Sequence, residues 1–323
     1  MITDSSAFVD DPVRVSVPAL VALNRPAASI RLGSGRILSR QSGDYQSPFR
    51  GRGMEFDESR LYQPGDDIRN IDWRVTARTG KTHTKLFREE RERPVFAWID
   101  LRRSMHFATR GRYKSVLAAE LAALVAWSAL HNGDRVGGVI FSDEDHHELK
   151  PRRGRAAVLR LINAIVNDTA WTQRAPSGNG KQTLEHALLR LRRVARPGSL
   201  IFLISDFRNL DQQAQIPLTR LCPHNEVVML FVYDPLEQAL PPPGRYKISD
   251  GDREFLVDAS DNRLARQYRQ QFQARLERLQ QLSRLNRTML LPCRTDAEPL
   301  SLLLGGLRPG AGVREKPAGF SGQ

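Results

Sequence analysis

Short apolar runs and longer amphipathic segments alternate along residues 94–300, and this alternation predicts the fold. Largely apolar runs, typical of strands buried on both faces, occur at residues 95–99, 136–141, 200–204 and 226–233. Between these runs, apolar residues recur at helical spacing, most clearly over residues 113–127 and 183–194. Strands that alternate with helices predict an α/β fold, in which a doubly wound and mostly parallel sheet carries helices on both faces.

The chain outside this alternation has a different character. Residues 1–30 contain prolines that interrupt any long helix, so we expect a flexible N-terminal tail. Residues 31–93 form a separate N-terminal segment, in which a turn at residues 79–81 between extended stretches at 68–73 and 82–87 predicts a β-hairpin. The alternating domain is expected to cover residues 94–308. The Gly- and Pro-rich residues 309–323 predict a disordered C-terminal tail.

The composition is that of a globular protein with an ordinary hydrophobic core. Of the 323 residues, 40% are hydrophobic and 26% are charged. Cys222 and Cys293 are far apart in the sequence and are expected to be reduced thiols. The most apolar stretch, residues 116–130, contains Glu120 and is shorter than the roughly 20 residues of a membrane-spanning helix. The N-terminus lacks signal-peptide features, so we expect no membrane span and a cytoplasmic location.

The positive charge of the chain is concentrated in one stretch. The formal net charge is +13, and residues 150–196 carry eleven basic and two acidic side chains. Arg152, Arg153 and Arg155, which follow a proline turn, represent this basic face. A basic face fits an acidic partner or a nucleic acid, although a merely solvated set of helix faces would have the same composition. No zinc-finger or RNA-binding motif accompanies the charge.

Oxygen-bearing side chains follow the predicted strands at the point where each strand ends. Asp100 and Ser104 come at the end of the first strand, Ser205 and Asp206 end the third, and Thr183 begins a helix between them. In parallel sheets the functional crevice lies at the carboxyl ends of the strands. Hard oxygen ligands on such loops suit Mg²⁺, so Mg²⁺ is the candidate cofactor.

Two sets of motifs carry a resemblance to known proteins. The spacing Asp-x-Ser-x-Ser, then Thr, then Ser-Asp resembles the metal-ion-dependent adhesion site of von Willebrand factor A domains. The stretch before it resembles the bacterial domain of unknown function 58 family, whose members carry such an A-like domain. The residues that match the family motif are Tyr62, Pro64, Gly65, Asp66, Asp67, Arg69, Asp72 and Trp73.

The resemblance implies a protein-interaction module. Members of this family are commonly encoded near MoxR-type AAA+ ATPases and are thought to act with them as adaptors or in the assembly of other complexes. No enzymatic activity is established for the family. A-like domains bind protein clients, often through a partner carboxylate that completes the coordination of the metal. The acidic and basic residues of the family motif either form ion pairs that clamp the hairpin to the A-like domain or make a docking surface.

This sequence departs from the metal-site pattern at one position, because Arg102 replaces the first serine. A guanidinium has no lone pair to offer and cannot ligate Mg²⁺. Three arrangements are open: a metal site formed by Asp100, Ser104, Thr183 and Asp206 despite the arginine, pairing of Arg102 with Asp100 or Asp206 in place of the metal, or an Arg102 that points to solvent.

Other chemistry finds little support in the sequence. The segment Gly180-Lys181-Gln182-Thr183 lacks the Ser or Thr that must directly follow the lysine of a phosphate loop. No serine sits in the strand–turn–helix setting of a hydrolase nucleophile. We therefore expect a non-enzymatic interaction module that acts with a MoxR-type ATPase. The alternative, less favoured, is a nucleic-acid-associated protein that uses the basic face of residues 150–196.

Overall fold

The computed structural model describes residues 11–32, 54–63, 66–89, 92–172, 183–249 and 254–307. The chain divides into two compact units. The larger unit combines residues 1–42 with residues 93–323, and the smaller unit comprises residues 43–92.

Strands and helices alternate along the larger unit, and β1, β2 and α3 belong to the smaller one. The strands are β1 (Met54–Leu61), β2 (His83–Glu89), β3 (Pro94–Asp100), β4 (Arg135–Phe141), β5 (His146–Arg152), β6 (Leu200–Ser205), β7 (Glu226–Tyr233), β8 (Arg245–Ser249), β9 (Glu254–Asp258) and β10 (Met289–Arg294). The helices are α1 (Val17–Ala22), α2 (Asn24–Ala27), α3 (Trp73–Thr79), α4 (Lys114–His131), α5 (Arg155–Val166), α6 (Leu184–Val194), α7 (Gln212–Leu221), α8 (Pro235–Gln238), α9 (Asn262–Asn286) and α10 (Pro299–Gly306).

Six strands form a mostly parallel central sheet in the order β10-β7-β6-β3-β4-β5. Neighbouring strands are parallel, except that β4 and β5 are antiparallel. Helices separate the parallel strands in the sequence, as crossover connections require. The predicted class, a mixed α/β fold with a mostly parallel sheet, is confirmed.

The side chains of β3 alternate between two hydrophobic cores, one on each face of the sheet. Val95, Ala97 and Ile99 pack into the core that includes α4 and α5. Phe96 and Trp98 pack into the core that includes α6, α7 and α9. Helices cover both faces of the sheet. The polar residues at the strand termini therefore lie at its two remaining edges, one where the parallel strands begin and one where they end.

Helix α4 crosses the first of these cores and is buried over residues 114–129. Its apolar stretch packs against strands and helices of the same unit. Within the described ranges, no helix combines the length and the apolar composition that crossing a bilayer requires.

The stretch from Val15 to Leu32 packs against the core, so the prediction of a flexible tail over residues 1–30 is wrong for residues 15–30. Pro18 lies in the first turn of α1, where the missing N–H of proline breaks no helical bond. Leu20 and Ile30 are at most 2% exposed. The indole N–H of Trp127 donates to the carbonyl of Leu20 at 2.9 Å. The proline therefore starts a short helix instead of preventing one; residues 1–10 lie outside the described ranges.

The smaller unit contains an antiparallel pair of strands, but not the tight hairpin that the sequence predicts. β2 pairs with β1, and the stretch 68–73 contains a short 3-10 helix and the start of α3. Asp72 caps α3, because its side chain accepts from the N–H groups of Arg74 and Val75 at 3.2 Å. Gly80 ends the helix with a φ of 70°. The predicted tail at residues 309–323 lies outside the described ranges.

Candidate functional site at the carboxyl ends of the strands

The carboxyl ends of β3, β6 and β7, together with the residues that follow them, form the surface that we call the rim. Asp100 ends β3 and is fully buried. The neighbouring strand β6 ends at Ser205, whose hydroxyl donates to Asp100 Oδ2 at 2.6 Å. That hydroxyl accepts from the N–H of Phe207 at 2.9 Å. Asp206, directly after β6, therefore lies on the same rim as Asp100.

The guanidinium of Arg102 lies against Asp100. Its Nε and one terminal nitrogen donate to the two carboxylate oxygens at 2.9 and 2.8 Å, and its backbone N–H donates to Oδ1 at 3.0 Å. The guanidinium carbon is 5.6 Å from the centroid of the Phe141 ring. Burial disfavours the charged form, but the charge of Asp100 and its hydrogen bonds more than compensate and raise the pKa of Arg102. The structure therefore shows the second of the three arrangements considered for Arg102, in which its guanidinium pairs with Asp100.

Lys114, the first residue of α4, is a second buried cation at the rim. Its Nζ donates to Asp206 Oδ2 at 2.9 Å and to Glu237 Oε1 at 2.6 Å. Lys114 and Asp206 have no exposed surface, and Glu237 is 4% exposed. Burial opposes ionisation of Asp206, yet the charge and hydrogen bond of Lys114 prevail and hold the pKa of Asp206 at about 2. Asp100 and Asp206 of the rim are therefore each paired with a cation from the same chain.

Two further arginines surround Glu237. Arg275 of α9 donates to Glu237 Oε2 at 2.7 Å, and its guanidinium lies 5.3 Å from the centroid of the Phe231 ring. Arg208 approaches Asp206 and Glu237 at 3.5 Å each. Because 47% of its side chain is exposed, Arg208 presents a positive charge to solvent beside this buried network.

Asp234 follows β7 in the same way that Asp206 follows β6, and it ties three segments of the rim together. It accepts from the N–H and the hydroxyl of Thr109 at 2.8 and 2.6 Å and from the hydroxyl of Thr295 at 2.8 Å. Burial raises the pKa of Asp234, but these hydrogen bonds outweigh burial and leave it below the usual value. The sequence signal for Asp234 is the one that identifies Asp100 and Asp206, a carboxylate directly after a buried strand.

The remaining residues of the predicted metal site do not complete a shell for Mg²⁺. Thr183 is exposed and caps α6, with its hydroxyl accepting from the N–H of His186 at 3.2 Å. Ser104 lies half-buried in a 3-10 turn. Both oxygens of Asp100 already accept hydrogen bonds from Arg102 and Ser205. Across the described residues, no group of three or more His, Cys, Asp or Glu side chains is arranged to hold a metal. The residues present do not fit the ion.

The acidic residues of the family motif hold the turns of the smaller unit. Asp66 pairs with Arg60 at 2.7 Å and accepts from the N–H of Gln63 at 2.9 Å. Asp72, besides capping α3, accepts from the hydroxyl of Ser59 at 2.9 Å. The other motif residues are placed as follows: Asp67 caps the 3-10 helix, Tyr62 is half-buried, Arg69 and Trp73 are exposed, and Pro64 and Gly65 lie outside the described ranges.

The three arginines chosen to represent the basic face, Arg152, Arg153 and Arg155, are all exposed. Arg152 ends the antiparallel edge strand β5, whereas Arg155 begins α5. The edge where they lie is the one at which the parallel strands begin, opposite the rim.

The fold and the rim define a mixed α/β protein whose strand-end carboxylates are neutralised by cations of the same chain. The family model described as protein of unknown function DUF58 matches residues 58–281, and the chain belongs to this family. It is 33% identical over 220 residues to the uncharacterized proteins Mb1516 of Mycobacterium bovis and Rv1480 of Mycobacterium tuberculosis, a match that covers 67% of this chain and 68% of each relative.

Among solved structures, the chain is similar to the conserved hypothetical protein BatB from Bacteroides thetaiotaomicron. The TM-score is 0.39 with 15% sequence identity, and the match covers 65% of this chain and 93% of that chain.

Proposed function

We propose that this chain is a non-enzymatic protein-interaction module, built on a von Willebrand factor A-like domain in which internal cations take the place of the metal ion. The observation that supports this proposal is the pairing of the rim carboxylates. Arg102 occupies both oxygens of Asp100, and Lys114 occupies Asp206. A divalent cation could bind there only by displacing buried charge-assisted hydrogen bonds, which are among the strongest in proteins.

The rim still offers a positive group to a partner. In A-like domains a carboxylate of the partner completes the coordination of the metal. Here the exposed cation is Arg208, held in place by Asp206 and Glu237. A carboxylate of a partner would pair with this guanidinium, and binding would need no divalent ion.

The partner that the family resemblance favours is a MoxR-type AAA+ ATPase, and the setting we propose is cytoplasmic. The purified chain and the ATPase encoded nearby are tested for binding by calorimetry, with and without a metal chelator. We expect binding that is unchanged by the chelator and that weakens at least about tenfold, or roughly 1.4 kcal/mol, in Arg208→Glu. Arg220→Glu is the matched control, because Arg220 is also exposed but lies in the last turn of α7, away from the rim.

Three results would contradict the proposal. They are the absence of any complex with the ATPase, an equal loss of binding in Arg208→Glu and Arg220→Glu, and ATP hydrolysis by the purified chain alone. The alternative function, association with nucleic acid through residues 150–196, concerns the opposite edge of the sheet and is distinguished by a separate experiment on that edge.

A further inference from the structure

A basic cleft of about 510 Å³ opens at the edge of the sheet where the parallel strands begin. We call it the basic cleft. Among the described residues that line it none is acidic, and five are basic: Arg135, Lys150, Arg152, Arg193 and Arg196. A concave site lined by one sign of charge concentrates the electrostatic potential and attracts ions of the opposite sign.

The cations of the basic cleft come from separate parts of the chain. Arg135 begins β4, Lys150 and Arg152 lie at the end of β5, Arg193 is in the last turn of α6, and Arg196 lies in the loop before β6. Favourable interaction with the helix dipole accounts for an arginine at the end of α6, but not for the strand and loop residues. Their convergence brings like charges together, and an anion bound among them would relieve the repulsion.

Most of these cations have no acidic partner among the residues that the structure describes. Within the described part of the chain, no carboxylate lies within ion-pair distance of the side chains of Lys150, Arg152, Arg193 and Arg196, and all four residues are exposed. They contrast with the cations of the rim, which are paired and mostly buried. The basic cleft therefore has positive charge available for a ligand.

The wall of the basic cleft is apolar between the charges. Pro94, Pro151 and Val194 line it and are half-buried. Phe96, which also contributes, has no exposed surface, so its ring offers no face on which a nucleic-acid base could stack. An apolar wall surrounded by cations suits a peptide that carries an apolar side chain between carboxylates, and it suits a nucleic acid less well.

We infer that the basic cleft binds an acidic protein segment, which places an apolar side chain against Pro94 and Val194 and its carboxylates near the surrounding arginines. This inference rests on the proposed function and names the chemistry of a second partner surface, distinct from the rim. The three arginines of the basic face are not equivalent in the structure, because Arg152 lines the basic cleft whereas Arg153 and Arg155 do not.

The test uses the full chain and two labelled probes of about ten units each. One is a peptide of Asp and Glu with two central leucines, and the other is single-stranded oligothymidylate. Binding is measured by fluorescence anisotropy at about 50 mM and about 200 mM salt. The cleft variant is Arg152→Glu with Arg196→Glu. The control is Arg155→Glu with Arg278→Glu, which changes the net charge equally at exposed positions outside the basic cleft.

We expect the peptide to bind the parent more tightly than the oligonucleotide does. The cleft variant should lose at least about tenfold in peptide affinity, or roughly 1.4 kcal/mol, whereas the control should lose less than about threefold. Exchange of the two leucines for serine in the peptide should weaken binding severalfold, because the apolar contact is lost. Thermal melting of each variant verifies that it remains folded.

Two outcomes would overturn the inference. Equal losses in the cleft and control variants would show that only the net charge matters. Tighter binding of the oligonucleotide, lost in the cleft variant, would establish the nucleic-acid alternative. If the peptide result fails while Arg208→Glu still weakens binding of the ATPase and Arg220→Glu does not, the inference about the basic cleft fails and the proposed function stands.

Discussion

Lys114 and Asp206 form an ion pair in which neither side chain is exposed, with Nζ 2.9 Å from Oδ2. The same ammonium group is 2.6 Å from Glu237. Removal of one partner from a buried ion pair lowers the stability of the fold by more than the intact pair contributes to it. The reason is that the remaining charge is left without its partner in a low-dielectric environment. The rim thus depends on its own cations for stability.

The first prediction is that Lys114→Met strongly destabilises the fold. The change removes the fully buried cation that Asp206 and Glu237 share and leaves Asp206 with only the half-exposed Arg208 at 3.5 Å, so we expect the free energy of unfolding to fall by about 3–5 kcal/mol. Urea denaturation at neutral pH measures it. The control Lys150→Met removes an exposed lysine and should change stability by less than about 0.5 kcal/mol. Equal effects of the two substitutions would mean that Lys114 is not buried in this pair.

The second prediction concerns the pH dependence of stability. The pKa of Asp206 is about 2 in the folded chain and about 3.9 when unfolded. A lowered pKa stabilises the fold above the unfolded value, and this contribution is lost as pH falls from about 5 to about 2. Urea denaturation across this range should show a steeper loss of stability in the parent than in Asp206→Asn. Parallel pH profiles would contradict the assignment.

The third prediction is that the parent binds divalent cations poorly and that Arg102→Ser improves binding. The substitution removes the two guanidinium hydrogen bonds to Asp100, adds a hydroxyl ligand and vacates the volume of the guanidinium. Calorimetric titration of Mg²⁺ and Mn²⁺ should show at least about tenfold tighter binding by Arg102→Ser, or roughly 1.4 kcal/mol. Arg102→Lys, which keeps a cation at the site, should behave like the parent. Equally tight binding by the parent and Arg102→Ser would show that the arginine does not block the ion.

The fourth prediction is that both cysteines are inert in the folded protein. Burial raises the pKa of Cys222 and of Cys293 to about 12, so almost no reactive thiolate exists at neutral pH. A disulfide-exchanging thiol reagent should label neither residue in the native chain and both in concentrated guanidinium chloride. Rapid labelling of the native chain at neutral pH would contradict the burial of these thiols.

The strand-end carboxylates could be predicted from the sequence because their signal is local. Asp100 and Asp206 each end or follow a continuously apolar run, and parallel strands bring such ends to one edge. The buried position of Lys114 at the rim could not be predicted in this way. A lysine at the start of a helix is usually solvated, and its burial depends on Glu237, which is 123 positions away.

The basic cleft was only partly predictable, for a related reason. Composition identifies the positive charge of residues 150–196, but not which of its side chains converge. That depends on β5, an edge strand whose polar sequence contains Pro151 and gives a weak strand signal. It also depends on Arg135, which lies outside the basic stretch and joins the cleft through the pairing of β4 with β5.

The central strand β3 has one end at each of the two candidate binding surfaces. Pro94 lines the basic cleft, and Asp100 holds Arg102 at the rim. Seven residues at about 3.3 Å each keep these ends roughly 20 Å apart, more than twice the ~8 Å over which physiological salt screens a charge. The electrostatic potential of a carboxylate bound at one end would therefore be almost fully screened at the other end. Because β3 is buried, it would fix the distance between two proteins bound at the two surfaces at the same time.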